Sequence, residues 1–257
     1  MIQIEAIPAF SDNYIWLLYD SDSGDAVVVD PGEAAPVQRA LADRGLQLTA
    51  VLVTHHHPDH IGGINELAGD RDIPVLGPES IRQVTRPLRD GDHFQLLGAG
   101  FSVLAVPGHT LDHLALYSTD AAEQPLLFCG DTLFAGGCGR IFEGDPGMML
   151  ASLTRLAGLP ENTLVYCAHE YTLSNLTFAR AAEPDNRTLR QRFDDTEALR
   201  AEDIPTVPST MGLELETNPF LRCHLPTLKT AAESHSGHAC DDNLQVFATV
   251  RNWKDNF

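Results

Sequence analysis

The sequence predicts an α/β (α+β) fold with a helical C-terminal section, on three observations. Short runs of β-branched and aromatic residues, each bounded by turn residues, fill the first two thirds of the 257 residues. Helical patterns lie between several of these runs, as a layered fold of mixed strands and helices requires. After about residue 170 the strand runs cease, and helix formers and charges take over.

In chain order, strands are expected at "YIWLLYD" (14–20), "AVVVD" (26–30), "AVLVTH" (50–55), "FSVLAV" (101–106), "HLALYS" (113–118), "LLFCGD" (126–131) and "TLVYCAH" (163–169). Helices are expected over "EAAPVQRALADRG" (33–45), "IGGINELA" (61–68) and "PGMMLASLTRLAGL" (146–159), where apolar residues recur at helical spacing. "LSNLTFARAAEP" and "NRTLRQRFDDTEALRAED" continue the helical texture beyond that point. The proline-bearing stretch 204–222 reads as an extended connector, because proline breaks regular backbone pairing. A last helix, "DNLQVFATVRNWKDNF", carries Val246, Val250, Trp253 and Phe257 as an apolar stripe able to pack it onto the main domain. Two domains are expected, 1–170 and 171–257.

Charge narrows the partners. Thirty-six acidic against 17 basic residues give a net charge of −19, which repels phosphate backbones and anionic membrane surfaces, so neither nucleic acid nor a membrane is expected as a partner. No uninterrupted apolar run of about 18 residues is present, and "MIQIEAIPAF" lacks the basic start and long apolar segment of a signal peptide. The expectation is a soluble cytoplasmic protein. Five cysteines, an odd number without CxxC spacing, read as reduced structural thiols. No long apolar helix face calls for a second copy, and a monomer is expected.

The densest chemistry lies in "VLVTHHHPDHIGG", residues 51–63. Imidazole nitrogens and carboxylate oxygens suit zinc and other first-row divalent ions, and clustering them is otherwise unfavourable. If the backbone leaves the strand extended, His55 and His57 face one side and His56 the other. Pro58 then turns the chain, so that Asp59 and His60 stand at the entry of a helix. The plainer alternative is a polar turn with Asp59 as a helix cap. His109 in "VPGHTLDH", Asp131 in "FCGDTLF" and His169 in "YCAHEYT" each follow an apolar run. Singly, each could be a structural hydrogen-bonding or turn-forming residue. Together the seven donors are too many for one tetrahedral ion and suit two. Far away, Arg251 and Lys254 share a helix face, a local positive exception suited to a small dianionic ligand; the alternative is a solvated basic helix end.

The motifs "THHHPDH", "GHT", "GDTLF" and "CAHEYT", in this order, resemble the metallo-β-lactamase superfamily, which implies an αββα sandwich with a metal site at one edge. "AFSDNYIWLL", "AVVVDPG", "GDTLFAGGCGRIFEG", "NPFLR" and "RNWKDNF" are narrower, and over essentially the full length the chain looks like the glyoxalase II (hydroxyacylglutathione hydrolase) family. That resemblance implies one ion held by His55, His57 and His109, a second by Asp59, His60 and His169, and Asp131 bridging them. Zinc is the first expectation for both ions, with iron or manganese accepted by the same donors. It further implies hydrolysis of a glutathione thioester, chiefly S-D-lactoylglutathione, by hydroxide generated between the ions, with Asp59 and Asp131 as catalytic carboxylates. The glutathione moiety would be gripped by Arg140, Phe142, Tyr171, Arg251 and Lys254. Some relatives carry Lys and Tyr where this chain has Arg140 and Phe142, and often charged residues where it has Asn252 and Trp253. His56, His93 and His113 are left outside the ligand set, and Cys138 is not expected to act as a nucleophile. The competing readings are a glutathione persulfide dioxygenase, another hydrolase of the same fold acting on lactones or β-lactams, and a glutathione-conjugate binding module.

Overall fold

A strand that the sequence reading does not include opens the fold. In the computed structural model, which describes residues 2–69 and 71–257, Ile2–Ala9 (β1) pairs antiparallel along its whole length with Asn13–Asp20 (β2). The alternation Ile2-Gln3-Ile4-Glu5-Ala6 is short and is interrupted at Ile7 and Pro8, but an edge strand tolerates proline. Glu5 is bound there by the Tyr19 hydroxyl at 2.7 Å and by Arg44.

The chain divides into two compact units. The first comprises the described residues through Ala105, with Asp112–Gly130 and Tyr166–His169. Its first sheet continues from β2 to Asp25–Val29 (β3), antiparallel, and then in parallel through Gln47–Leu52 (β4), Val75–Gly77 (β5) and Arg86–Pro87 (β6). Parallel neighbours need crossovers, which are supplied by helix Ala34–Arg44 (α1) and by the short helices Pro58–Ile61 (α2) and Ile64–Ala68 (α3). Val37 and Leu41 of α1 and Ile64 and Leu67 of α3 are buried in one apolar cluster with Leu17, Val28, Val51 and Val53 of the sheet region. The single helix expected over 61–68 is two helices, because Gly62 and Gly63 lie against backbone: a Cβ on Gly62 would stand 2.5 Å from the Gly32 carbonyl oxygen. In the same unit His93–Leu96 (β7), Ala99–Ala105 (β8), Leu114–Ser118 (β9) and Leu126–Gly130 (β10) pair in sequence, with Tyr166 and Cys167 beside β10.

The second unit comprises Val106–Leu111, Asp131–Val165 and Glu170–Phe257. It holds a tight hairpin, Leu133–Phe134 (β11) with Gly137–Cys138 (β12), the helix Pro146–Ala157 (α4), and the start of strand Leu164–Cys167 (β13). Helices Thr172–Ala182 (α5) and Arg187–Ala201 (α6) follow. The stretch 204–222 is not the expected extended connector. It contains Ser209–Thr210 (β14), paired with Leu164 and Val165, then helix Met211–Thr217 (α7) and a 3-10 turn, Pro219–Leu221. Pro205 and Pro208 precede β14, Pro219 opens the 3-10 turn at its first position, and the Thr210 hydroxyl caps α7 by accepting the Leu213 N–H. Helices Pro226–Ser236 (α8) and Asn243–Asp255 (α9) complete the unit.

The apolar stripe expected on the last helix is also corrected. Its buried face is Val246, Phe247, Val250 and Arg251, while Trp253 is half-buried and stacked on His235, and Phe257 is exposed. No helix of the described residues is long and apolar enough to cross a membrane.

Candidate metal centre and substrate cavity

The histidine-rich motif leaves the sheet earlier than expected. β4 ends at Leu52, and Thr54 is tied to Asp30, donating its N–H to Oδ1 at 2.7 Å and its hydroxyl to Oδ2 at 2.8 Å. Asp30 itself has φ +54° at the end of β3. His55 follows in irregular backbone, fully buried, its ring stacked on His113 at 4.6 Å and 4.8 Å from the ring of His57. His57 is the residue preceding α2, with Pro58 in the first turn, so the chain reverses into the helix as the proline predicts. A side chain on Gly32 would stand 1.9 Å from the Asp59 carbonyl oxygen, so the Pro31-Gly32 turn can press against α2 only as glycine. His56 turns elsewhere and pairs with Asp112 at 2.9 Å.

Within this unit Asp59, His60 and His169 offer ligand atoms that all lie within 4.8 Å of one another. Asp59 Oδ2 is 3.4 Å from His60 Nε2 and 3.5 Å from His169 Nε2, and it accepts the Asn13 amide at 2.9 Å. The far nitrogen of each ring faces another carboxylate: His169 Nδ1 is hydrogen-bonded to Asp12 at 2.8 Å, and His60 Nδ1 lies 3.1 Å from Asp30. Ligating histidines are characteristically oriented in this way, through the nitrogen that does not bind the metal. Burial by itself would raise the Asp59 carboxyl. Hydrogen bonds with His169 and His60, the charge of His60 and the Asn13 amide outweigh it and hold the group well below the usual carboxylate range. An anionic carboxylate with two imidazoles oriented toward it fits a divalent ion.

The second unit brings together the remaining donors and the cations. His109 donates Nδ1–H to the Arg140 carbonyl at 2.7 Å, so that its Nε2 lies 3.5 Å from Asp131 Oδ2; both side chains are buried. Both line a cavity of about 410 Å³ together with Arg140, Phe142, Tyr171, Arg251 and Lys254. Phe142 presents its ring to that of His109 at 5.3 Å, and Tyr171 packs on Phe134 at 5.3 Å.

Family models match the chain in two consecutive pieces. The model described as metallo-β-lactamase superfamily matches residues 10–169, and that described as hydroxyacylglutathione hydrolase C-terminus matches 170–257. The hydroxyacylglutathione hydrolases of Alkalilimnicola ehrlichii and Pseudomonas putida are 55% and 54% identical to it, over 99% and 100% of both chains respectively. The chain belongs to the hydroxyacylglutathione hydrolase family of the metallo-β-lactamase superfamily. Among solved structures, that of TTHA1623 in a di-iron-bound form is 28% identical, with a TM-score of 0.58, covering 85% of this chain and all of that one.

For a member of this family the cavity holds several residues that motif reasoning did not single out as contacts. Phe134, Ser174 and Asn175 line it, and Cys138 does so as a buried thiol whose pKa is raised by burial. Asp255 also belongs to its electrostatics, since it takes Arg251 Nη2 at 3.0 Å and lies 3.6 Å from Arg140 Nε. Arg251 is buried and spends much of its fork inside the protein, donating Nη1 to the Cys138 carbonyl at 2.9 Å while its guanidinium covers Phe220. Lys254 is the more available cation. Burial, and then the charges of Arg251 and Arg140, lower its pKa.

Proposed function

We propose that this protein hydrolyses the thioester of S-(2-hydroxyacyl)glutathione, chiefly S-D-lactoylglutathione, to glutathione and D-lactate, the second step of methylglyoxal detoxification, in the cytoplasm. The observation that carries the reading is the second unit's cavity. It sets two metal-type donors, His109 and Asp131, beside three cationic side chains, Arg140, Arg251 and Lys254, in a protein whose net charge is −19. A metal-assisted hydrolase for neutral or cationic substrates has no use for that grouping; a thioester carried on a peptide with two carboxylates does.

In this reading His55, His57 and His109 hold one divalent ion, Asp59, His60 and His169 the other, and Asp131 serves both. Zinc is the proposed metal, with iron and manganese accepted by the same donors. When bound, such ions would supply a nucleophile by lowering the pKa of water to about 7, together with positive charge for a developing oxyanion. The protein's own groups do the rest. Lys254 and Arg140 attract the glutathione carboxylates, while Arg251, fixed by Cys138 and Asp255, shapes the wall beneath them. Phe142 and Tyr171, both with exposed ring surface, flank the thioester arm. The Arg140 carbonyl holds the His109 ring in one tautomer, with Nε2 directed at Asp131. The departing thiolate needs little acid assistance, because a thiol of pKa about 8.5 leaves far more readily than an amine.

The test is hydrolysis of S-D-lactoylglutathione by the purified protein loaded with zinc, beside an Asp131→Ala variant. Turnover that collapses in the variant supports the assignment. A wild-type protein that carries its metals and leaves the thioester intact would sink it.

A further inference from the structure

Outside the cavity, the second unit contains a fully buried polar network that its chemistry has not yet used. Glu214 of α7 has no exposed surface, yet both of its oxygens are engaged. Oε1 accepts from Arg192 Nη2 of α6 and from the Ser209 hydroxyl, while Arg192 also donates Nη1 to the Thr217 hydroxyl at 2.6 Å. Oε2 faces the other way and accepts the Gly136 N–H at 2.8 Å and the Asn218 amide at 3.0 Å. The same Asn218 amide also donates to the carbonyls of Phe134 and Gly137, at 3.2 and 2.9 Å. Every bond on that side therefore lands on the β11–β12 hairpin or on the residue that grips it. Gly136 has φ +68°, and the turn Ala135-Gly136 is otherwise held by the Asn175 amide, which donates to the Ala135 carbonyl at 3.2 Å.

What the hairpin carries makes this grip consequential. Phe134 and Cys138 of the hairpin line the cavity, and Asp131 and Arg140 stand just outside its two ends. The Cys138 carbonyl receives Arg251, and the Arg140 carbonyl orients His109. The wall that positions the cations and one metal-type donor is thus fastened to a charge pair on α6 and α7, directly through the Gly136 N–H and, by way of the Asn218 side-chain amide, through two carbonyls.

We propose that Glu214, braced by Arg192, is a positioning residue for substrate binding: it holds the 131–140 segment in register so that the cavity's anion-binding groups meet the glutathione moiety. This inference rests on the function proposed above. It also explains why the position needs a carboxylate. All four partners of Glu214 donate or can donate, so the amide of a Gln would turn its NH2 group against either Arg192 or the Gly136 N–H.

The experiment compares Glu214→Gln and Asn218→Ala with a control, Glu183→Gln, which breaks another buried ion pair of the same unit, to Arg222 at 2.8 Å, without touching the hairpin. Steady-state kinetics on S-D-lactoylglutathione, metal content, Tm and amide hydrogen exchange across 131–142 are measured for each. Glu214→Gln is expected to raise KM about tenfold with kcat changed by less than about threefold, to keep the wild-type metal content, and to speed exchange of the hairpin amides. Asn218→Ala, which removes both carbonyl contacts to the hairpin but leaves the buried Glu214–Arg192 pair in place, is expected to act in the same direction and serves where Glu214→Gln fails to fold. Glu183→Gln lowers Tm but leaves KM and hairpin exchange at wild-type values. Unchanged KM and exchange in the Asn218 variant, or an equal KM rise in the Glu183 control, would overturn the proposal in favour of a purely stabilising network. Failure of the wild type to turn over the thioester is a separate outcome that removes the functional reading itself, and with it this role for Glu214.

Discussion

Two aspartates that lie in sequence motifs, Asp12 in "AFSDNYIWLL" and Asp30 in "AVVVDPG", but were given no role there, stand beside the imidazoles of the candidate metal centre. Asp12 reaches His169 across 157 positions of sequence, and Asp30 reaches His60 across the β3–β4 region. Removing such an outer carboxylate typically costs 10–100-fold in metal affinity, so Asp12→Ala is expected to weaken zinc binding by about that factor, as read by competition with a chromogenic chelator. An unchanged affinity would mean that His169 is oriented by other contacts. Lys254 gives a second test with a definite sign. Its pKa is lowered from 10.5 by burial and by neighbouring cations, so its charge is lost at lower pH than that of a free lysine. KM for the anionic substrate should be flat near neutrality and climb as pH rises through the lowered value. Lys254→Arg, cationic throughout, should abolish the climb. Much of this scale was legible in the sequence: His55, His57, Asp59 and His60 stand so close together that spacing alone suggests ligands. The roles of Asp12 and Asp30 were not legible, because an aspartate at a bend or turn looks the same in sequence whether or not a distant imidazole folds onto it, and nothing in the spacing of Asp255 on the last helix shows that Arg140 also comes to it.

Elements were readable where apolar periodicity was strong and unreadable where tertiary contacts decided. α1 and α4 lie within a residue or two of the expected ranges, since each buries a continuous face. β1 was missed because its pairing to β2, rather than its own pattern, makes it a strand. The stretch 204–222 was misread because prolines were counted without their positions, and α7 and the Pro219 turn begin where those prolines allow. The last helix shows how amphipathicity can mislead about direction. Phe247, absent from the expected stripe, is fully buried and stands against Phe220 at 5.9 Å, whereas Phe257 is exposed. Phe247→Ala should therefore cost about 3–5 kcal/mol in urea unfolding, and Phe257→Ala far less. The turn at Gly139 yields a sharper test, because a Cβ there would stand 2.0 Å from the Asp131 carbonyl oxygen and 3.1 Å from His109 Nδ1. Gly139→Ala should reduce kcat/KM by at least about a hundredfold through displacement of the Asp131 backbone and the His109 ring, while far-ultraviolet circular dichroism stays that of the wild type.

At the scale of the molecule, acidity and metal affinity are two sides of one distribution. A net charge of −19 accumulates divalent cations near the surface, whereas a glutathione thioester, with two carboxylates against one ammonium, approaches against that field and depends on the few cations the second unit gathers. The donors proposed for the ions come from segments far apart in the chain, His55–His60, His109, Asp131 and His169, and an unfolded chain holds none of them in register. Ions that bind only the native state stabilise it by mass action, by about 2.7 kcal/mol for each site filled at a hundred times its Kd. For a chain of this size each such site should raise Tm by about 5–10 °C. Dialysis against a chelator should accordingly lower the calorimetric Tm, and restoring zinc should recover it in proportion to the metal bound. If both ions contribute, the recovery should saturate at two equivalents per chain and fall to one or fewer in Asp131→Ala. A Tm indifferent to chelation, in a protein that has demonstrably lost its metal, would show that packing alone keeps the donors assembled.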